Sequence, residues 1–572
     1  MKKRIDMIFA SKYSWVLLLL VFACINFLAS LVHTRFDLTK EKRYTISNAT
    51  KGLLHELDDE VKIDVFLKGD LPSGFKKLSN TTGEFLDLLK EYNGSKIHYR
   101  FLSPDDEMED APGKKYSDTL TSLGASPINL SVQVKQGQEN KLVFPVAWIR
   151  FKDREALINL YPGSSRVITA NEMNDAEAMM EYQFAKTFDA MLYPEKPFIA
   201  YSSGNGEPSG AQTYDLQQSV RKDYRLFTFN INTQKFIPDT IKVLLIVKPS
   251  LQFTADEKLK IDQYLMRGGK LLCFLDGLHA EQDSLKYQPQ IIAYDRGLDL
   301  TDLLFHYGTR INPDLIMDLQ CDFLPFAVGG SAGNPQFEFL HWNYYPLFES
   351  KGNHAINRSL GLVAGRFVNS MDTVKAPGIT KTILLSSSSN TKVIGTPALI
   401  SLNENRNTPQ DAQFTQKNKI AAVLLEGKFS SLYKDRMSSQ QLDTLSSYGT
   451  PFKSESTPDN KMIIVSDGDI VLNDVHPKQG PLPMGLNLFT VGSQYEYQFA
   501  NRNFLLNCLE YLTNKQGIIE TRNKEIVLRL LDPEKLKDQR TGWQLANIAL
   551  PVLLIMICGF TYQQIRKKKY AA

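Results

Sequence analysis

Two uncharged apolar runs, one near each end of the chain, limit what it can fold into more than any other feature. Residues 13–32 read YSWVLLLLVFACINFLASLV and residues 543–562 read WQLANIALPVLLIMICGFTY. About 20 residues at ~1.5 Å rise per residue match a hydrocarbon core of ~30 Å. A charged side chain at mid-membrane costs about 2.5–3.5 kcal/mol, and neither run holds one. Tyr13 and Trp15 flank the first run, and Trp543 and Tyr562 bracket the second, as interfacial aromatics do. Pro551 lies inside the second, which a membrane helix tolerates. The first run is longer than a signal-peptide core, and INFLASLV continues past Cys24, unlike a lipoprotein signal.

Two spans place both termini on one side. The tail Arg566-Lys567-Lys568-Lys569 and the early Lys2, Lys3 and Arg4 mark that side as cytoplasmic. The expected order is a cytoplasmic N-terminus (1–12), a span (13–32), an ectodomain (33–541), a second span (543–562) and a basic cytoplasmic tail (563–572). In a bacterium the ectodomain is periplasmic and the membrane is the inner one. The chain offers no further run long enough to span, so it does not form a transport pathway alone.

With 66 Lys and Arg against 63 Asp and Glu, the net charge of +3 gives no footprint for nucleic acid. Five cysteines do not make a disulfide framework.

The ectodomain reads as α/β throughout. Ser47 caps a short helix. VKIDVFLKG (61–69) alternates like a strand, 75–94 has helical spacing, and 95–104 alternates again: a βαβ unit. Residues 105–118 are charged and read as a loop, and 128–151 as a hairpin turning near Gly137. A helix follows over 171–192. A second unit begins at 196, with strands at 198–203, 225–231, 242–250 and 270–276. Its helices fall at 215–224 and 254–269, the latter with a Thr254/Glu257 capping box and a Gly268-Gly269 stop. That alternation implies a doubly wound, mostly parallel sheet. Residues 277–460 give no clear pattern beyond apolar islands at 381–389 and 419–429. A buried strand within 461–474 and a helix at 501–513 follow. The domains expected are 33–195 and 196–517, then a charged linker over 518–542.

No motif carries strong chemistry. Gly113-Lys114, Gly269-Lys270 and Gly427-Lys428 all lack the Ser or Thr of a phosphate-binding loop. His55-Glu56 is followed by Asp59 where a zinc protease has its second His, and the eight histidines have no zinc spacing. Cys273 lies inside an apolar strand, between Leu272 and Phe274, so it reads as a packed thiol; a nucleophile using His279 is the alternative. Neither metal nor cofactor is expected. Two loops that follow strands are candidate ligand or partner sites: Gly204, Asn205, Gly206 and Glu207, and Asp467 with Asp469. Asn473 is a nearby oxygen donor.

The block RFDLTKEKRYTISNATKGLLHELDDEVKIDVFLKG (35–69) resembles the gliding-motility-associated ABC-transporter auxiliary proteins of the GldG kind. GNGEPSG (204–210), LLFHYGTRINPDLIMD (303–318), VSDGD (465–469) and residues 504–532 carry the resemblance further. It implies a membrane-anchored, non-enzymatic auxiliary subunit working with a multi-span permease and a separate cytoplasmic ATPase. It also implies a thioredoxin-like first unit and an amidotransferase-like second unit without catalytic residues. Such proteins lead one to expect His at position 205, where this chain has Asn. The competing readings are a tethered hydrolase or amidotransferase-like enzyme using Cys273, and a free-standing receptor. The sequence leaves cargo and oligomeric state open.

Overall fold

The computed structural model describes residues 19–20, 22–23, 26, 45–109, 111–134, 137–161, 170–331, 333–350, 352, 354–358, 360–402, 411–514, 517–523 and 533–570. They fall in two compact units, 1–524 and 525–572.

The first unit opens with α1 (Asn48–Glu56), whose Thr50 N–H donates to the Ser47 hydroxyl at 3.1 Å. Then come β1 (Val61–Val65), α2 (Ser73–Tyr92), β2 (Ile97–Phe101), β3 (Val146–Phe151), β4 (Arg154–Asn159) and α3 (Ala170–Leu192). The sheet order is β2-β1-β3-β4, with β1 parallel to β2 and antiparallel to β3. The βαβ reading is therefore realised. Leu53 and Leu54 of α1, Leu86 and Leu89 of α2, and Phe184 and Phe188 of α3 share one core against this sheet. Each such side chain contributes about 1.5–3 kcal/mol by leaving water. Two local expectations shift. The hairpin is Ile128–Val134 with Gly137–Val143, because Val146–Phe151 is captured by the main sheet as β3. The charged stretch holds two short paired strands, Glu107–Met108 and Ala111–Lys115, and a helix from Tyr116 to Ser122.

The main sheet of the second lobe is built from β5 (Phe198–Ser203), β6 (Arg225–Asn230), β7 (Ile241–Val247), β8 (Lys270–Phe274), β9 (Cys321–Ser331), β10 (Asn334–Ser350), β11 (Ile379–Ser386), β12 (Ile420–Gly427) and β13 (Asn460–Val465). Their order is β6-β5-β7-β8-β13-β12-β11-β10-β9. The first five are parallel. From β13 onward every pairing is antiparallel. The parallel half is covered on both faces, as expected. Leu272 and Phe274 meet α4 (Tyr214–Asp223) and α6 (Asn501–Thr513) on one side. Leu271 and Cys273 meet α5 (Ala255–Met266) on the other. The Thr254/Glu257 capping box at the start of α5 is formed. The antiparallel half qualifies the "mostly parallel" expectation. It is supplied by residues 277–460, the stretch without readable periodicity.

Residues 518–523, read from the sequence as the start of a linker, form a buried turn. Ile518 joins the core of the first lobe and Ile519 that of the second. The turn contacts α1 and α3, so the two ends of the folded body lie side by side. Across this junction the Tyr182 hydroxyl donates to Glu510 at 2.5 Å. The Arg522 guanidinium donates to Asn507 at 2.6 Å and lies 4.9 Å from the Tyr182 ring centre.

The second unit is one long helix, α7 (Pro533–Tyr570), with Pro551 inside it. Its Gly542–Lys568 segment is long and apolar enough to cross a membrane and is wholly unburied. Among the described residues it is the only such helix. Of the first run, Leu19, Leu20, Phe22, Ala23 and Asn26 are helical. The rest of 13–32 lies outside the described residues, so two spans are not established.

Candidate functional site

In an open parallel sheet, ligands gather beyond the carboxyl ends of the strands where the strand order reverses. Here the reversal lies between β5 and β7, and the loops that follow them meet there. The Ser250 and Leu251 N–H groups donate to the Asn205 carbonyl at 2.8 and 2.9 Å. Gly206, at φ +76°, is forced to be glycine: a Cβ would stand 2.1 Å from the Ser250 hydroxyl.

Next to this contact opens a cavity of about 320 Å³. Its floor is a cluster of charges from six loops. Lys248 follows β7 directly and is held at φ +43°. Its ammonium is 2.8 Å from Asp469, 3.1 Å from Glu281 and 3.3 Å from Asp276. Arg296 reaches Glu281 at 2.6 Å and Asp276 at 3.6 Å. The Arg366 guanidinium grips Asp474 with two bonds, at 2.8 and 2.7 Å, and donates to Gln282 at 3.3 Å. Beneath them Asp467 is fully buried and accepts from the N–H groups of Asp469 at 2.7 Å and Arg366 at 2.8 Å. Breaking one partner of so enclosed a network costs about 3–5 kcal/mol, against ~0–1 for a surface pair.

A smaller chamber of about 20 Å³ shares Arg366, Asp469, Leu472 and Asp474 with the large one. Tyr345, Asp322, Asn487 and Asn501 are among the other residues of its wall. Tyr345 is 2% exposed, and its hydroxyl has no hydrogen-bond partner.

Burial opposes the charge on Lys248, but Asp469, Asp276 and Glu281 outweigh it and lift its pKa well above the lysine range. The amine is a fixed cation, not a nucleophile. Burial also raises Asp467, aided by the negative Asp469 and Asp276. Asp469 is raised by burial in spite of Lys248. Glu281 moves the other way: Lys248 and Arg296 overcome its burial and lower its pKa. Around the two chambers stand five carboxylates, Glu281, Asp283, Asp322, Asp469 and Asp474, against the three cations Lys248, Arg296 and Arg366. The site is therefore polar with an acidic excess. No cluster of three or more His, Cys, Asp or Glu suited to a metal occurs among the described residues.

Both candidate loops arrive at this end of the sheet. Gly206 and Asp469 line the cavity, whereas Gly204, Asn205, Glu207 and Asp467 do not. Asn205 is buried, and its side chain donates to Glu257 at 3.1 Å, tying the loop to the start of α5. Glu207 turns back onto the Asn205 N–H at 2.8 Å. Asn473 is spent on the fold: it accepts from the Asp215 N–H and donates to the Ala211 carbonyl. Sequence reasoning missed Lys248, Glu281, Arg296, Arg366, Asp474 and Tyr345. Only Lys248 left a signal, as a charge ending a continuous apolar strand.

Cys273 is 4% exposed on the α5 side of the sheet, and burial pushes its thiol up to about 12. A thiol so placed supplies almost no thiolate at neutral pH. His279 stacks on Tyr294, with ring centres 5.0 Å apart.

Residues 196–508 match a family model described as "ABC-type uncharacterized transport system", and residues 40–150 match a domain of unknown function, DUF7088. A Borreliella burgdorferi protein described as uncharacterized is 20% identical over 560 residues, covering 94% of each chain. Among solved structures, the mmIFT52 N-terminal domain aligns with a TM-score of 0.31 and 14% identity, over 55% of this chain and 97% of that one. An exo-beta-1,4-mannosidase from an Opitutaceae bacterium aligns with a TM-score of 0.17 and 8% identity, over 69% of this chain and 45% of the enzyme.

Proposed function

We propose that this chain, which belongs to the ABC-type uncharacterized transport system family, is its non-catalytic auxiliary subunit, held in the bacterial inner membrane by two helices. In this reading 13–32 and 543–562 both span, both termini are cytoplasmic, and 33–541 is periplasmic. The lobes 33–195, thioredoxin-like, and 196–517, amidotransferase-like, bind a partner or cargo through the loops at 204–207 and 467–469. A multi-span permease and a cytoplasmic ATPase supply the pathway and the energy. The resemblance of residues 35–69 and 504–532 to the GldG proteins ties the system to gliding motility.

One observation carries most of this reading. The turn Ile518–Asn523 packs against α1, so the described residues nearest to the two apolar runs within the folded body are neighbours. That arrangement suits a body anchored twice in one bilayer. The inert Cys273 supports a role without covalent catalysis.

Gentle detergent extraction, followed by identification of what remains bound, tests the reading. The expected result is stoichiometric co-purification of a permease and an ATPase. Purification without either sinks it. Protease added outside spheroplasts is expected to cleave within 33–541, and full protection of that region would invert the topology.

A further inference from the structure

We infer that the seam between the two lobes is a proton-operated clasp, closed while Asp189 carries a proton and loosened when its carboxyl ionises. The clasp is independent of the transporter reading, because it is built from contacts inside the folded body.

The lobes are constructed as separate pieces. Each has its own sheet and its own apolar core, and the turn 518–523 enters both cores, through Ile518 on one side and Ile519 on the other. The chain passes from one lobe to the next at 193–197, a stretch without regular structure in which Pro194 and Pro197 flank Glu195 and Lys196. Polar interfaces between such pieces permit relative motion.

The seam itself is a row of polar pairs. Tyr182, Lys186 and Asp189 follow one another at four and three residues along α3, so they share one face of the helix. The Tyr182 hydroxyl donates to Glu510 of α6 at 2.5 Å, and the Lys186 ammonium donates to Asp223, at the end of α4, at 2.9 Å. Tyr193, one turn past Asp189, donates to Glu56 of α1. Asp189 is partly buried within this row, yet its carboxyl has no hydrogen-bond or ion-pair partner among the described residues.

The cations around it are committed elsewhere. Lys186 is held by Asp223, Arg522 donates to Asn507, and Arg154 of β4 donates to the Met191 carbonyl. Tyr224 at the end of α4 meets Thr513 of α6, and α1 adds the exposed His55. Even without the exposed Glu520 of the turn, Glu56, Asp223 and Glu510 outnumber Lys186 and Arg522. An ionised Asp189 enlarges that excess at the point where the lobes meet. Burial and the negative charges of Glu510 and Glu56 therefore push its carboxyl from 3.8 up to about 6. A lobe that swings away returns Asp189 to water and to the ordinary carboxyl range, so the closed seam binds the proton more tightly. The support this gives to closure is complete below pH ~4 and is lost as pH rises through about 6.

Hydrogen exchange of the full-length protein in detergent, corrected for the intrinsic rate at each pH, tests the clasp. Between pH 5.0 and 7.5 the protection of 182–192 and 505–513 is expected to fall about 10-fold, the change that one carboxyl raised to about 6 produces over that interval. The central strands β7 and β8 are expected to hold their protection. Asp189→Asn is expected to keep the seam protected at both pH values. Glu510→Gln, which retains an acceptor for Tyr182, is expected to move the midpoint of the change below 6. Equal seam protection at the two pH values in the wild type overturns the clasp. So does a matching loss in β7 and β8, which would be global unfolding. Full pH dependence in Asp189→Asn also overturns it, by assigning the change to another group such as His55.

Discussion

At the scale of single residues, burial decides which groups have chemistry available. Cys273 sits between β7 and β13, in register with Ile246 and Ile464, where a sulfur serves only to fill space. Cys273→Ala is expected to cost about 1 kcal/mol of stability, measured by urea unfolding, and to leave complex assembly intact. Asp189, on α3, shows the electrostatic counterpart. Burial, with Glu510 and Glu56 nearby, raises its carboxyl from 3.8 to about 6. The folded state therefore prefers the protonated acid. Its contribution to stability is complete below pH ~4 and is lost as pH rises through about 6. Asp189→Asn is expected to flatten the stability profile between pH 4 and 6 and to raise the melting temperature at pH 7.5. Gly206→Ala is expected to destabilise by roughly 1–3 kcal/mol, since it adds both left-handed strain and a clash with Ser250. Chemical denaturation measures it.

At the scale of elements, what could be read from the sequence depended on whether a segment carries its own signals. α5 was legible to its caps because Thr254, Glu257 and the Gly268-Gly269 stop all lie within sixteen residues. β7, β8 and β13 announced themselves as continuous apolar runs, because both of their faces are covered. β9 and β10 did not. Residues 327–331 and 334–338, at their paired ends, are exposed on both faces, so nothing alternates there. The charged floor of the cavity was hidden for a different reason. Lys248, Asp276, Glu281, Arg296, Arg366 and Asp469 come from separate loops, and no spacing links them until the sheet is assembled. The junction between the lobes was equally invisible, since Ile518 and Ile519 sit in a short stretch of ordinary composition. Arg522→Ala removes the guanidinium that spans Asn507 and the Tyr182 ring. It is expected to cost about 2–3 kcal/mol and to raise hydrogen exchange in α3 and in the C-terminal half of α6. Unchanged exchange there would show that the lobes are held by other contacts.

At the scale of the whole molecule, the anchoring has a plain test. Deleting 533–572 is expected to leave the chain in the carbonate-resistant membrane fraction through residues 13–32. Deleting 1–32 is expected to leave it there through α7. Deleting both is expected to release it. Release by the second deletion alone would contradict the anchoring assigned to α7. α6 gives this architecture a further meaning. Asn501, at its first turn, forms part of the inner chamber, while two turns on Asn507 accepts from Arg522 of the turn 518–523 and Glu510 accepts from Tyr182 of α3, mooring α6 to the first lobe. One stiff rod of thirteen residues, about 20 Å long, thus ends in a vestibule at one tip and in a mooring at the other. If filling the vestibule tightens the mooring by some factor, then loading the mooring must tighten the vestibule by the same factor, because the two affinities share one thermodynamic cycle.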